Sequence, residues 1–180
     1  MKQASQFPRE SVVAWVNLQQ TNRVVQTLVE QKLQAETDLS WPEFEVLWRL
    51  QAATGEPLQM HDIAEQLLGS PSGITRLADR LERDGLIARE TPPGNRRIVN
   101  ARLTARGEAV VKRARRAFGE ALTAAFSAHL SPADVATLRR LMRRLLEANG
   151  AWVESRCDPK FAAVSEPVKA PAGPDRRGRR

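Results

Sequence analysis

Apolar positions set the first frame. Ile63, Ala64, Leu67 and Leu68 recur at helical spacing, and after Gly69 a second set follows at Ile74, Leu77, Ala78 and Leu81. Two short amphipathic helices joined by a tight turn are predicted. Ser70 suits the cap of the second, because its hydroxyl accepts from a free backbone N–H, and Pro71 suits the first helical position, where a missing N–H is harmless. With the apolar set turned inward, Ser72, Gly73, Thr75, Arg76, Asp79, Arg80 and Arg83 face outward. Asp84 and Gly85 close this helix. The runs Leu86 to Thr91 and Ile98 to Leu103 then read as strands, joined by Pro92, Pro93, Gly94, Asn95, Arg96 and Arg97.

Helix, turn, helix and arginine-tipped hairpin in this order predict a winged helix-turn-helix. In that motif the N-terminal end of the second helix enters the major groove, while arginines on the hairpin reach phosphates or the minor groove. Ser70, Ser72, Gly73, Thr75, Arg76 and Arg80, with Arg96 and Arg97 on the wing, are therefore the candidate DNA contacts.

Long helices flank this unit. From Glu10 to about Glu36 the chain carries Val12, Val13, Trp15, Val16, Leu18, Val24, Val25, Leu28, Val29 and Leu33, more apolar surface than a narrow stripe inside one chain needs. Ser40 and Glu43 form a capping-box start for a second helix with Phe44, Leu47, Trp48 and Leu50 as its packing residues. Beyond the wing, Thr104 caps a long helix containing Val110, Val111, Ala114, Phe118 and Leu122, and Ser131, Pro132 and Asp134 start another with Val135, Leu138, Leu141 and Leu145. The fold class is mainly α with a small β-hairpin wing. Residues 1–37 and 105–157 are expected to be dimerisation helices around a DNA-binding region at 38–104. Pairing across a two-fold axis would bury the surplus and set two recognition helices about one DNA turn apart, matching a pseudo-palindromic site; folding back to complete a monomer is the alternative.

Charge refines this picture. The chain has a net charge of +7 over 180 residues, which favours a polyanionic partner. Yet residues 58–103 hold seven basic and six acidic side chains, whereas 104–157 hold ten and five. Binding by the reading head must then rest on the placement of its arginines rather than on bulk charge. From Asp158 the sequence loses periodicity and ends in a basic run, so 158–180 is expected to be a disordered tail. Cys157 is the single cysteine, which excludes an intrachain disulfide and suits a reducing cytoplasm. No signal-peptide core or membrane-spanning run is found, so a cytoplasmic protein without a membrane partner is expected. No catalytic constellation, phosphate-binding glycine loop or metal-ligand spacing is present; neither enzyme nor cofactor is indicated.

The residues also carry a resemblance. Leu39, Ser40, the run Glu43 to Leu50, Ile63 and Ala64, Leu67 to Arg83, Gly85 and Leu86, the exit Leu103, Thr104 and Gly107, and Leu130, Ser131 and Pro132 together resemble the MarR family of bacterial transcriptional regulators. The resemblance implies a triangular homodimer that represses transcription from a pseudo-palindromic operator and is released by a small aromatic or lipophilic effector. Carried across by position, Ser70, Ser72, Gly73, Thr75 and Arg76 would face the groove, and Arg97 would be the wing arginine. The family's wing has an aspartate where this chain has Asn95.

The resemblance places the effector cleft near Trp15, Trp41, Phe44 and Trp48, with Phe118 contributing. Plain core fits the same spacing, and a constitutive or architectural DNA-binding protein without an effector is the alternative function. His61, with no nearby ligand partners, reads as a surface or capping residue rather than a metal ligand.

Overall fold

The computed structural model describes residues 8–53, 56–67, 71–92 and 98–154. Six α-helices occur among them: α1 (Arg9–Thr37), α2 (Trp41–Ala52), α3 (Met60–Leu67), α4 (Pro71–Arg83), α5 (Ala105–Ala125) and α6 (Pro132–Ala148). Three short strands, β1 (Leu58–Gln59), β2 (Ile87–Glu90) and β3 (Asn100–Leu103), form an antiparallel sheet in the order β1-β3-β2. A single 3-10 turn, Ser127–His129, links α5 to α6.

The helix starts follow local chemistry. At α2 the Glu43 carboxylate accepts from the Ser40 backbone N–H at 2.7 Å and from the Ser40 hydroxyl, so the capping box forms as its spacing predicts. At α6 the Asp134 carboxylate accepts from the Ser131 N–H at 2.9 Å, and the Ser131 hydroxyl accepts from the Asp134 N–H at 3.2 Å. Thr104 caps α5 by accepting from the Gly107 N–H at 3.0 Å. Helix α4 starts at Pro71; Ser70, the predicted cap, lies outside the described residues.

Two predicted boundaries shift. The strand run expected from Leu86 to Thr91 forms a ladder only over Ile87–Glu90, and that from Ile98 to Leu103 only over Asn100–Leu103. Leu86 is claimed by the helix end instead: Gly85 takes a left-handed φ of 69°, its N–H reaches the Glu82 carbonyl, and the Leu86 N–H returns to the Leu81 carbonyl, each at 2.9 Å. That is a Schellman ending, which absorbs two carbonyls left free by the helix.

The core lies between the second half of α1, α2, α3, α4, β2 and α5. Its largest fully buried side chains are Phe44, Leu33, Leu47, Ile63, Leu81, Ile87, Val46 and Val111. Helix α1 contributes only Val29 and Leu33 to it, and α6 contributes no buried residue. Val12, Val13, Trp15, Val16, Leu18, Val24 and Leu28 of α1, with Val135, Leu141 and Leu145 of α6, are exposed instead. Among the described residues no helix is long and apolar enough to cross a membrane.

Candidate nucleic-acid interface

Helix α4 buries Ile74, Ala78 and Leu81 against the core, and this face fixes which side turns to solvent. Ser72, Gly73, Thr75, Arg76, Arg80 and Arg83 are all on the exposed side. The predicted contacts of the recognition helix thus share one surface. Ser70, Arg96 and Arg97 fall outside the described residues, as does Asn95.

Two ion-pair systems hold that surface in place. On the wing side, Arg89 of β2 reaches across to α4: its Nη2 lies 2.7 Å from Asp79 Oδ1 and 2.6 Å from Glu82 Oε2, its Nε donates to Glu82 Oε2 at 2.9 Å, and its backbone N–H donates to Glu82 Oε1 at 3.2 Å. A guanidinium suits this task because its forked donors are rigid and planar. Hydrogen bonds from Arg89 hold the Glu82 carboxyl below its ordinary range, and Glu82 in turn raises Arg89. The two acids that dilute the basic face of α4 are therefore the anchor for the wing strand.

On the opposite side, Arg80 Nε lies 2.7 Å from Glu43 Oε1. Its Nε thus has a buried carboxylate of α2 as partner, while the Arg80 side chain stays 54% exposed on the face expected to meet DNA. A third tie joins α2 to α3, where Arg49, only 5% exposed, donates from Nη2 to the Gln66 carbonyl at 3.4 Å and pairs through Nη1 with Glu45 Oε1 at 3.5 Å. Burial pushes the Glu45 carboxyl up and Arg49 down from their ordinary values, with the pair itself opposing both shifts.

Sequence reasoning missed Arg89 and the outward reach of Glu43. For Arg89 a signal existed, since two acids on an otherwise basic helix face invite a cation from the next element. For Glu43 the capping box explained the residue completely, and its second partner lies 37 positions away.

The aromatic candidates divide. Trp41, Phe44, Trp48 and Phe118 come together between α2 and α5, with ring centroids 5.8 Å apart for Trp41 and Phe44, 5.0 Å for Phe44 and Trp48, and 5.1 Å for Trp48 and Phe118. Arg115 sits over Trp48 and donates to the Gln51 side-chain oxygen at 2.9 Å. Trp15 is not part of this group: it stands 61% exposed on α1, because the N-terminal half of α1 extends past the core. His61 is exposed, with Nε2 3.3 Å from Glu65 Oε1.

Residues 39–99 match the model of the MarR family. An uncharacterized HTH-type transcriptional regulator of Bacillus cereus (strain ZK / E33L) is 38% identical over 77 residues, which is 43% of this chain and 49% of that protein; the chain spans about half the length of such relatives. Among solved structures, Sco3205, a MarR family transcriptional regulator from Streptomyces coelicolor in complex with DNA, has a TM-score of 0.75 at 22% identity, covering 82% of this chain and 92% of that one. The organohalide-sensing regulator RdhR-CbdbA1625 in its 2,4-dichlorophenol-bound form has a TM-score of 0.68 at 19% identity, covering 82% and 89%. Residues 39–99 thus match the MarR family model, and the chain shares its fold with these MarR family regulators.

Proposed function

We propose that this chain is a homodimeric transcriptional regulator that binds a pseudo-palindromic operator through α4 and the wing, represses by occupying it, and leaves when a small aromatic compound binds. The observation that carries the reading is the exposed face of α4, where Ser72, Gly73, Thr75 and Arg76 stand together on a helix tied to its neighbours through Arg89 and Arg80. Short polar groups and an arginine at a helix N-terminus suit base edges in a major groove. A fold-mate solved with DNA supports the same use of the fold.

The dimer rests on surplus apolar surface. Helices α1 and α6 leave many valines and leucines exposed along their length, and apolar surface of that kind suits a protein interface. In this reading residues 1–37 and 105–157 are the dimerisation elements, 38–104 is the DNA reader, and 158–180 is a basic tail. A size measurement in solution together with footprinting on DNA upstream of its gene tests both halves of the reading.

For the effector, the rings of Trp41 and Phe118 are half-buried, and a fold-mate binds a chlorinated phenol. Phe44, at 0% exposure, packs against Trp41, Trp48 and Phe118, which favours the second reading of a constitutive DNA binder with these rings as core. Titration with 2,4-dichlorophenol decides: release from the operator supports the first, and unchanged binding at saturating probe supports the second.

A further inference from the structure

The geometry points to Arg80 as a positioning residue for the recognition helix, acting through Glu43 rather than through a DNA phosphate. The inference rests on the proposed DNA-binding role of α4 and deepens it.

Glu43 divides its carboxylate between two tasks. One oxygen, Oε2, accepts from the Ser40 N–H at 2.7 Å and from its hydroxyl, closing the first turn of α2. The other, Oε1, takes Arg80 Nε at 2.7 Å. The Glu43 side chain is 6% exposed and the Arg80 side chain 54%, so the bond leaves from a buried anchor and ends on the surface of α4. A buried carboxylate is costly without a partner, and its hydrogen-bonded cation is correspondingly hard to replace. Arg80 is thereby held one turn beyond Arg76, and with it the axis of α4 relative to α2. Glu43 also lies between Trp41 and Phe44, whose rings join α2 to Phe118 of α5. The recognition helix is therefore referenced directly to the element that carries the aromatic cluster.

A phosphate contact and a positioning contact make opposite predictions. Losing a phosphate contact lowers the steepness of the salt dependence by about 1 in the log–log slope. Losing a positioning contact weakens specific binding and leaves that slope alone. The test uses the full chain and fluorescence anisotropy on its operator and on random DNA, across a salt series, with Arg80→Ala, Glu43→Gln, the double variant and Arg80→Lys. Glutamine at position 43 still serves the capping box, so α2 keeps its start while Arg80 loses its charged partner.

Arg80→Ala and Glu43→Gln should each weaken operator binding by about tenfold, and the double variant should be no weaker than either, as residues of one pair behave. All should keep the wild-type salt slope. Arg80→Lys, which keeps the charge and loses the directed Nε donor, should resemble Arg80→Ala. The inference is overturned if Arg80→Ala lowers the slope by about 1 while Glu43→Gln binds as tightly as wild type, or if Arg80→Lys restores full binding. Should Glu43→Gln not fold cooperatively, Arg80→Ala against Arg80→Lys still decides. A wild-type chain without preference for its operator would instead refute the DNA-reading role.

Discussion

Gly107, in the first turn of α5, lies against the carbonyl of Leu86 so closely that a Cβ built on it would collide with that oxygen. Leu86 follows the Schellman turn that ends α4, and the same carbonyl accepts from the Thr104 N–H at 3.1 Å. The Thr104 hydroxyl donates to the Gly85 carbonyl at 2.7 Å. The recognition helix, the wing strand and the helix leaving the wing thus meet at one backbone crossing. Gly107→Ala should cost about 2 to 3 kcal/mol of folding stability, read from urea unfolding. A loss within about 0.5 kcal/mol, the range of an ordinary surface change, would show that the crossing has room to yield.

The Arg89 anchor gives a pH dependence of defined sign. Arg89 lowers the Glu82 carboxyl in the folded protein, so the pair's stabilisation is complete above the ordinary carboxylate value of 4.5 and fades as pH falls through the lower folded value. The stability gap between wild type and Arg89→Ala should therefore be widest near neutrality and shrink in acid. Its size is modest, within about 1 kcal/mol for each partly exposed pair. A gap that stays constant from neutral to acid pH would exclude this source.

The aromatic group separates core from surface. Phe44→Ala should cost about 3 to 5 kcal/mol, because Phe44 is fully buried and touches three other rings. Trp41→Ala, at the half-buried edge, should cost less and should abolish any response to 2,4-dichlorophenol. Equal losses for the two would place Trp41 in the core and remove it as a ligand contact.

Much of this architecture was legible in the sequence because its signals are local. Ser40 with Glu43, and Ser131 with Asp134, announce helix starts three residues apart, and Gly85 announces a helix end by its tolerance of positive φ. Strand β1, Leu58–Gln59, gave no sign: two residues are too short for any alternation, and the strand exists only because β3 is beside it. The partner of Arg80 was likewise set by tertiary approach, and that of Arg89 was signalled only by the two acids on α4. Spacing placed the four clustered rings and Trp15 on helical faces alike, but only the crossing of α2 with α5 decides which of them meet. The wing-tip arginines, central to the sequence reading, lie outside the described residues.

Dimerisation has its own test. Val16→Asp on α1 or Leu145→Asp on α6, both at exposed apolar positions, should shift the sedimentation mass from dimer to monomer at micromolar concentration, since a charge in an apolar interface goes unpaired. Far-UV circular dichroism should show the helices retained. A dimer that survives both changes would place the interface elsewhere.

The central claim is that the exposed N-terminal face of α4 reads base sequence, and Arg76→Ala tests it most directly. Measured by anisotropy against the operator and against random DNA at the same salt, the variant should lose about 1 to 3 kcal/mol on the operator and little on random DNA. Equal losses on both would contradict base reading by this face and leave Arg76 a phosphate contact.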